Sequence, residues 1–135
     1  MTITKSRFYY KDGTISNEYI LYYNESKLHR TDGPAMEFGD GERQWYINGK
    51  RHRVDGPAIE YPDGVKGWYI DGKLHRVDGP AIEYSDGRKR WYIGGEEYTE
   101  KQFNELIKQV NEMSLAMKLT DPRWWVRELG EKEVG

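Results

Sequence analysis

Short runs of alternating apolar and polar residues fill most of the chain, and the same run keeps coming back. Ala58-Ile59-Glu60-Tyr61 alternates with a period of two, as a half-buried strand does. Pro62-Asp63-Gly64 breaks the run as a hairpin turn, with glycine supplying the positive φ. Val65 to Ile70 forms the return strand and ends at Asp71-Gly72, whose counterpart one unit earlier is Asn48-Gly49. Asn-Gly and Asp-Gly are the strongest short-range hairpin signals. Lys73 to Arg76 then leads to Asp78-Gly79-Pro80. A proline without an amide donor marks a turn or strand start there.

The period is 23 residues. His29-Arg30, His52-Arg53 and His75-Arg76 keep it, as do Asp32-Gly33-Pro34-Ala35, Asp55-Gly56-Pro57-Ala58 and Asp78-Gly79-Pro80-Ala81. Trp45-Tyr46-Ile47, Trp68-Tyr69-Ile70 and Trp91-Tyr92-Ile93 follow the same interval. One step further back lies Tyr22-Tyr23, a degenerate copy, and Phe8 to Gly13 matches Ile59 to Gly64. The step from Asp to the aromatic pair is five residues at Asp40 but ten at Asp12, so the first unit carries a five-residue insertion. Irregular terminal units are normal in repeat arrays, where an end must face water. The pattern predicts a mainly β fold: an antiparallel meander of hairpin repeats in a single twisted sheet. The strands run from about residue 7 to 94, within an array spanning 1–95.

From residue 96 to 135 the pattern changes to a helical cap. Thr99-Glu100-Lys101-Gln102 has the form of a capping box, and Tyr98 and Phe103 are placed as a hydrophobic staple. Phe103, Leu106, Ile107, Val110, Met113 and Met117 fall on one helical stripe that would cover an open end or face of the sheet. Asp121-Pro122 starts a second, short helix, with Gly130 suited to its end and Trp124-Trp125-Val126 inside it.

Composition refines the picture. The chain is polar, with 33% charged and 36% hydrophobic residues, yet eleven Tyr and five Trp argue against disorder. With aliphatics scarce, aromatic rings must supply much of the buried area, which suits a thin sheet. A net charge of −2 gives no global drive toward nucleic acid or acidic lipid. The absence of cysteine excludes disulfides and thiolate metal sites. No apolar run approaches signal-peptide or membrane-span length, so a soluble, cytoplasmic protein is expected.

The pattern Trp-Tyr-x-x-Gly-Lys-x-His-Arg-x-Asp-Gly-Pro-Ala, as in Trp45 to Ala58, resembles MORN-like repeat proteins. It is more similar still to the His-Arg-x-Asp-Gly-Pro-Ala repeats of many bacteriophage and giant-virus proteins. The resemblance covers roughly residues 19 to 94. It implies a hairpin-repeat scaffold used for binding, in a phage protein acting on a host factor. MORN units pair Tyr with Gly at another spacing and lack the His-Arg-x-Asp core, so membrane-junction roles do not carry over.

Three chemistries compete for His-Arg-x-Asp. A kinase catalytic loop has Asp directly after Arg, in one copy, beside a Gly-rich phosphate loop; here Thr31, Val54 or Val77 intervenes and there are three copies. A zinc site needs ligands about 2.0–2.1 Å from one ion. Equivalent histidines in neighbouring hairpins would stand roughly 9–10 Å apart, so no metal is expected. The structural reading has Arg spanning to the following Asp or to the next unit's Glu, with His bonded to a turn. Set against it, Arg30, Arg53 and Arg76 with His29, His52 and His75 could form a cationic column for phosphate or carboxylate. Asp32, Asp55 and Asp78 would neutralise much of that column. Trp45, Trp68 and Trp91 read most simply as sheet core. For Trp124 and Trp125, a buried helix face and an exposed anchor for a partner or second copy stay open alternatives.

No catalytic constellation and no cofactor motif emerges. The expected function is non-catalytic binding of a protein partner, a host defence protein in the setting that the resemblance implies, with self-association compatible. The alternative is sequestration of a phosphorylated small molecule, a nucleotide or a nucleic-acid backbone by the Arg/His column.

Overall fold

A computed structural model describes residues 2–9, 12–13 and 15–117. It shows one meandering antiparallel sheet with a C-terminal helix, the mainly β architecture that the repeat pattern predicts. The first unit holds β1 (Thr2–Tyr9), β2 (Ile15–Asn24) and β3 (Lys27–Leu28). The next holds β4 (Met36–Phe38), β5 (Arg43–Gln44), β6 (Tyr46–Ile47) and β7 (Lys50–Arg51). The third holds β8 (Ile59–Glu60), β9 (Lys66–Gly67), β10 (Tyr69–Ile70) and β11 (Lys73–Leu74). The last contributes β12 (Ile82–Glu83), β13 (Lys89–Ile93) and β14 (Glu96–Tyr98), followed by α1 (Glu100–Met117).

Each unit makes two hairpins, not one. The sheet hairpins line up in the order β1-β2-β4-β5-β8-β9-β12-β13-β14. The side hairpins β2–β3, β6–β7, β10–β11 and β13–β14 branch from them. In the sheet hairpin β8–β9, Tyr61 N–H donates to Val65 O, and Asp63 Oδ1 accepts from Val65 N–H. The same bonds recur at Phe38–Glu42 and Tyr84–Arg88. The side hairpins turn on two residues with positive φ, such as Asp71 (49°) and Gly72 (81°). That geometry matches the right-handed twist of the flanking strands. In the first unit the same turn falls on Glu25 (49°) and Ser26 (68°), which have no glycine to relieve them.

The five-residue insertion of the first unit lies in the β2 arm and is matched by residues of β1 ahead of Phe8. Leu21, the counterpart of Gly67, pairs with Thr4 and not with Phe8. An antiparallel hairpin can lengthen only in both strands together, so β1 and β2 grow side by side. The odd residue is absorbed by a bulge at Phe8/Tyr9.

The core is thin. Ala35, Ala58 and Ala81 are 0% exposed, and Ile59 and Phe103 are buried, yet among the described residues no large side chain is fully enclosed. Trp45, Trp68 and Trp91 are half-buried. Across the sheet, opposite charges stand in register: Glu37 faces Arg43, Arg43 faces Glu60, Glu60 faces Lys66, Lys66 faces Glu83, and Glu83 faces Lys89. Each such cross-strand pair contributes roughly 0.2–1 kcal/mol.

Helix α1 begins as its capping box predicts. Gln102 N–H donates to Thr99 Oγ1 at 3.1 Å, and Thr99 N–H donates to Gln102 Oε1 at 3.0 Å. The helix packs on β13 and β14, closing the C-terminal end of the sheet. Among the described residues no helix is long and apolar enough to cross a membrane. The predicted second helix, with Trp124 and Trp125, lies outside the described residues.

Candidate functional site

The three histidines do the same work three times. His29 Nδ1 accepts the Asn48 backbone N–H at 3.0 Å, His52 Nδ1 accepts that of Asp71 at 3.0 Å, and His75 Nδ1 accepts that of Gly94 at 2.8 Å. The donor is always the first residue of the next side-hairpin turn. An accepting Nδ1 means a neutral ring with its proton on Nε2. The backbone supports this joint, because Gly49, Gly72 and Gly95 N–H donate to Leu28, Arg51 and Leu74 O, each at 2.8 Å. His75 is the most enclosed, at 7% exposure, and burial pushes its pKa below the ordinary histidine value. Among the described residues its Nε2 meets no hydrogen-bond partner.

Each arginine lies flat in a sandwich. Arg30 stacks on Tyr22 at 4.0 Å, and Arg53 and Arg76 stack on Trp45 and Trp68 at 3.9 Å. The opposite side of each guanidinium rests on Gly33, Gly56 or Gly79, where a Cβ would come within 2.9 Å of Cζ. That approach explains the glycine of Asp-Gly-Pro, which adopts no left-handed φ. Nε donates to Asp32, Asp55 or Asp78, and Nη1 donates to the carbonyl of Pro34, Pro57 or Pro80. Glu37, Glu60 and Glu83 stand 3.5–3.7 Å from Nη1. With two carboxylates beside each guanidinium, the arginine presents no excess positive charge. The hydrogen bond and charge of Arg30 hold Asp32 below the usual carboxylate range.

The column therefore exists, but its cations are turned inward onto rings and carbonyls. Between its first two loops lies a groove of about 530 Å³ lined by both arginines, Asp32, Asp55, Trp45 and His52. Among the described residues no group of three His, Cys, Asp or Glu is placed to hold a metal.

A second constellation escaped the sequence reading. Consecutive strand residues point to opposite faces, so the tyrosine after each tryptophan faces away from the arginine sandwich. On that face Arg51 occupies the position held by Leu28 and Leu74 in neighbouring units. Its guanidinium sits 5.3 Å from the Tyr69 ring and 6.0 Å from the Tyr46 ring. Gln44 organises the group: its Oε1 accepts from Tyr46 Oη at 2.8 Å and Arg51 Nε at 3.3 Å, and its Nε2 donates to Glu42. Gly67, at the position of Gln44 one unit on, leaves room for Tyr69; a Cβ there would lie 3.1 Å from the ring and 2.9 Å from Ile59 Cγ2. Tyr61 completes the patch at 41% exposure, its hydroxyl pKa pushed up by burial and by the charge of Glu42. In the last unit Arg90 lies beside Tyr92 at 5.4 Å and grips Glu97 through two bonds of 2.6 and 2.9 Å. The signal in the sequence was Arg51, a cation flanked one period either side by Leu28 and Leu74, with Glu97 at the same position in the last unit.

Comparison of the chain with protein-family models, with curated proteins and with solved structures finds no match.

Proposed function

We propose that this chain is a non-catalytic protein-binding module that presents the Tyr46-Arg51-Tyr61-Tyr69 face to a partner. One observation carries the reading: Arg51 stands where both neighbouring units have leucine, with its guanidinium near the Tyr46 and Tyr69 rings and within electrostatic reach of the solvent-open Tyr61. Tyr and Arg are enriched at binding hot spots because they combine large contact area with directed polar groups. The setting implied by the resemblance, a phage protein inhibiting a host defence protein in the host cytoplasm, belongs to this proposal.

The test compares capture of a partner from host lysate by the wild type and by Arg51→Leu. Leucine already stands at this position in the neighbouring units, so the fold should survive. The same partner should be recovered by the wild type and lost with Arg51→Leu and Tyr61→Ala. Unchanged capture by both variants refutes the assignment. If Arg53→Ala abolishes binding instead, and added salt steeply weakens it, the phosphate-binding reading of the column takes its place.

A further inference from the structure

The two ends of the sheet are finished differently. At the C-terminal end α1 packs over β13 and β14. At the other end β1 pairs only with β2 among the described residues. β1 is eight residues long, in a sheet where every strand after β2 has two to five. β2 is paired to β1 from Ile15 to Tyr23 but to β4 only over Tyr19–Leu21, so the first hairpin overhangs the array. A two-stranded ribbon alone is marginal in water.

Backbone bonds identify which groups of β1 are unpaired. Tyr22 N–H donates to Ala35 O, and Glu18 O accepts from Gly39 N–H, so both residues direct their backbone away from β1. Direction alternates along a strand, so Tyr19, Leu21 and Tyr23 bond Ser6, Thr4 and Thr2. Ile3, Lys5 and Arg7 therefore turn their N–H and C=O groups outward. The segment has no Pro, no Gly and no acidic residue, and Ile3 is 55% exposed. Natural edges are blunted by short length, proline, bulges or charge. β1 has neither short length nor proline, and its protection is the charge of Lys5 and Arg7 and the bulge at its end, which leave the edge open to a partner of opposite charge.

Charge weighs against a second copy in the two registers that pair most of the strand. A two-fold antiparallel pairing of β1 with a second copy, centred on Lys5, sets Lys5 against Lys5. Centred on Ser6, it sets Lys5 against Arg7. Like charges directly opposite one another are destabilising. In the β1–β2 register Arg7 is paired with Glu18 and Lys5 with Ile20. We propose that the free edge of β1 is a docking strand for an extended segment of another protein with carboxylates at alternate positions, joined through the outward amides of Ile3, Lys5 and Arg7. This surface is separate from the tyrosine face and stands whether or not that face binds.

The test uses the full chain and a blocked seven-residue peptide of alternating threonine and glutamate. Fluorescence anisotropy should show binding that weakens with salt, and a threonine/lysine peptide should not bind. In amide NMR spectra Ile3, Lys5 and Arg7 should shift on titration while Thr2, Thr4 and Ser6 hold still. Lys5→Pro removes an outward donor without touching the β1–β2 ladder and should weaken binding at least tenfold. Lys5→Glu, which leaves the backbone intact, should do the same and admit the lysine peptide. The proposal is overturned if the acidic peptide fails to bind or if neither variant weakens it. It is equally overturned if the wild type sediments as a dimer that Lys5→Pro dissociates, because the occupant is then a second copy.

Discussion

Gly56→Ala tests whether the arginine column is a structural joint. The new Cβ would lie 2.9 Å from Arg53 Cζ, 3.1 Å from Nη1 and 3.2 Å from Nε. A guanidinium is normally a flexible end that can step aside. Here it is held by the Trp45 ring at 3.9 Å, by Asp55 and by the Pro57 carbonyl at 3.0 Å. Stacking contributes about 1 kcal/mol. A charged bond to a part-buried carbonyl contributes about 1.5 kcal/mol. Asp55 is 80% exposed, so its pair counts for no more than about 0.5 kcal/mol. A displaced guanidinium loses roughly half to two thirds of this combined stabilisation. Replacing glycine stabilises by about 0.4–1 kcal/mol through the unfolded chain, since φ is not left-handed here. The net expectation is a loss of about 1 kcal/mol, a few degrees in Tm for a chain of this size. Urea melts of Gly56→Ala, Arg53→Ala and the double variant complete the cycle. On the Arg53→Ala background the alanine meets no guanidinium and should be neutral or stabilising. Equal destabilisation on both backgrounds refutes the sandwich.

Three other outcomes follow from the same geometry. The depressed pKa of His75 means that between its folded and unfolded values the unfolded chain binds more protons. Its contribution is therefore complete above about pH 6.5 and falls as the pH drops below that, by up to about 1.4 kcal/mol per pH unit. His75→Asn, with an amide oxygen to accept the Gly94 N–H, should flatten urea stability between pH 7 and pH 5. A slope as steep as wild type contradicts the assignment. Ser26→Gly relieves a left-handed residue and should raise stability by about 0.5–1 kcal/mol after the entropy of the new glycine is deducted, measured by thermal melts. Gly67→Gln installs the second unit's residue in the third, where its Cβ meets Ile59 and Tyr69. It should displace Tyr69 and reduce partner capture, and a crystal structure with Tyr69 unmoved would contradict this.

Much of the fold could be read in advance because it is written locally. The Asp-Gly and Asn-Gly turns, the alternation of Ala58 to Tyr61 and the Thr99–Gln102 box all depend on neighbours a few residues apart. The partners of the motif residues are another matter. His52 meets the amide of Asp71, nineteen residues ahead, and Arg53 meets Trp45, eight behind. Such pairs are set by how the second hairpin of each unit packs on the next, which its turn signals do not reveal. The reading that Arg spans to the following Asp holds in all three copies, but its stack on a ring was not visible. The tyrosine face was hidden for a related reason: a repeat search weighs what recurs, and Arg51 is what does not.

The histidine joint also makes the molecule a ruler with fixed graduations. Each unit is fastened by an amide that its successor supplies, so removing or duplicating a block of 23 residues between Tyr22 and Tyr92 leaves every remaining joint with a matching donor. A block of 22 or 24 would swap the faces of the strands beyond it and strand one histidine without its amide. The number of joined units in this architecture therefore changes by whole cassettes. The distance between β1 and the helix-covered end is adjustable in equal steps while the chemistry at both ends stays the same.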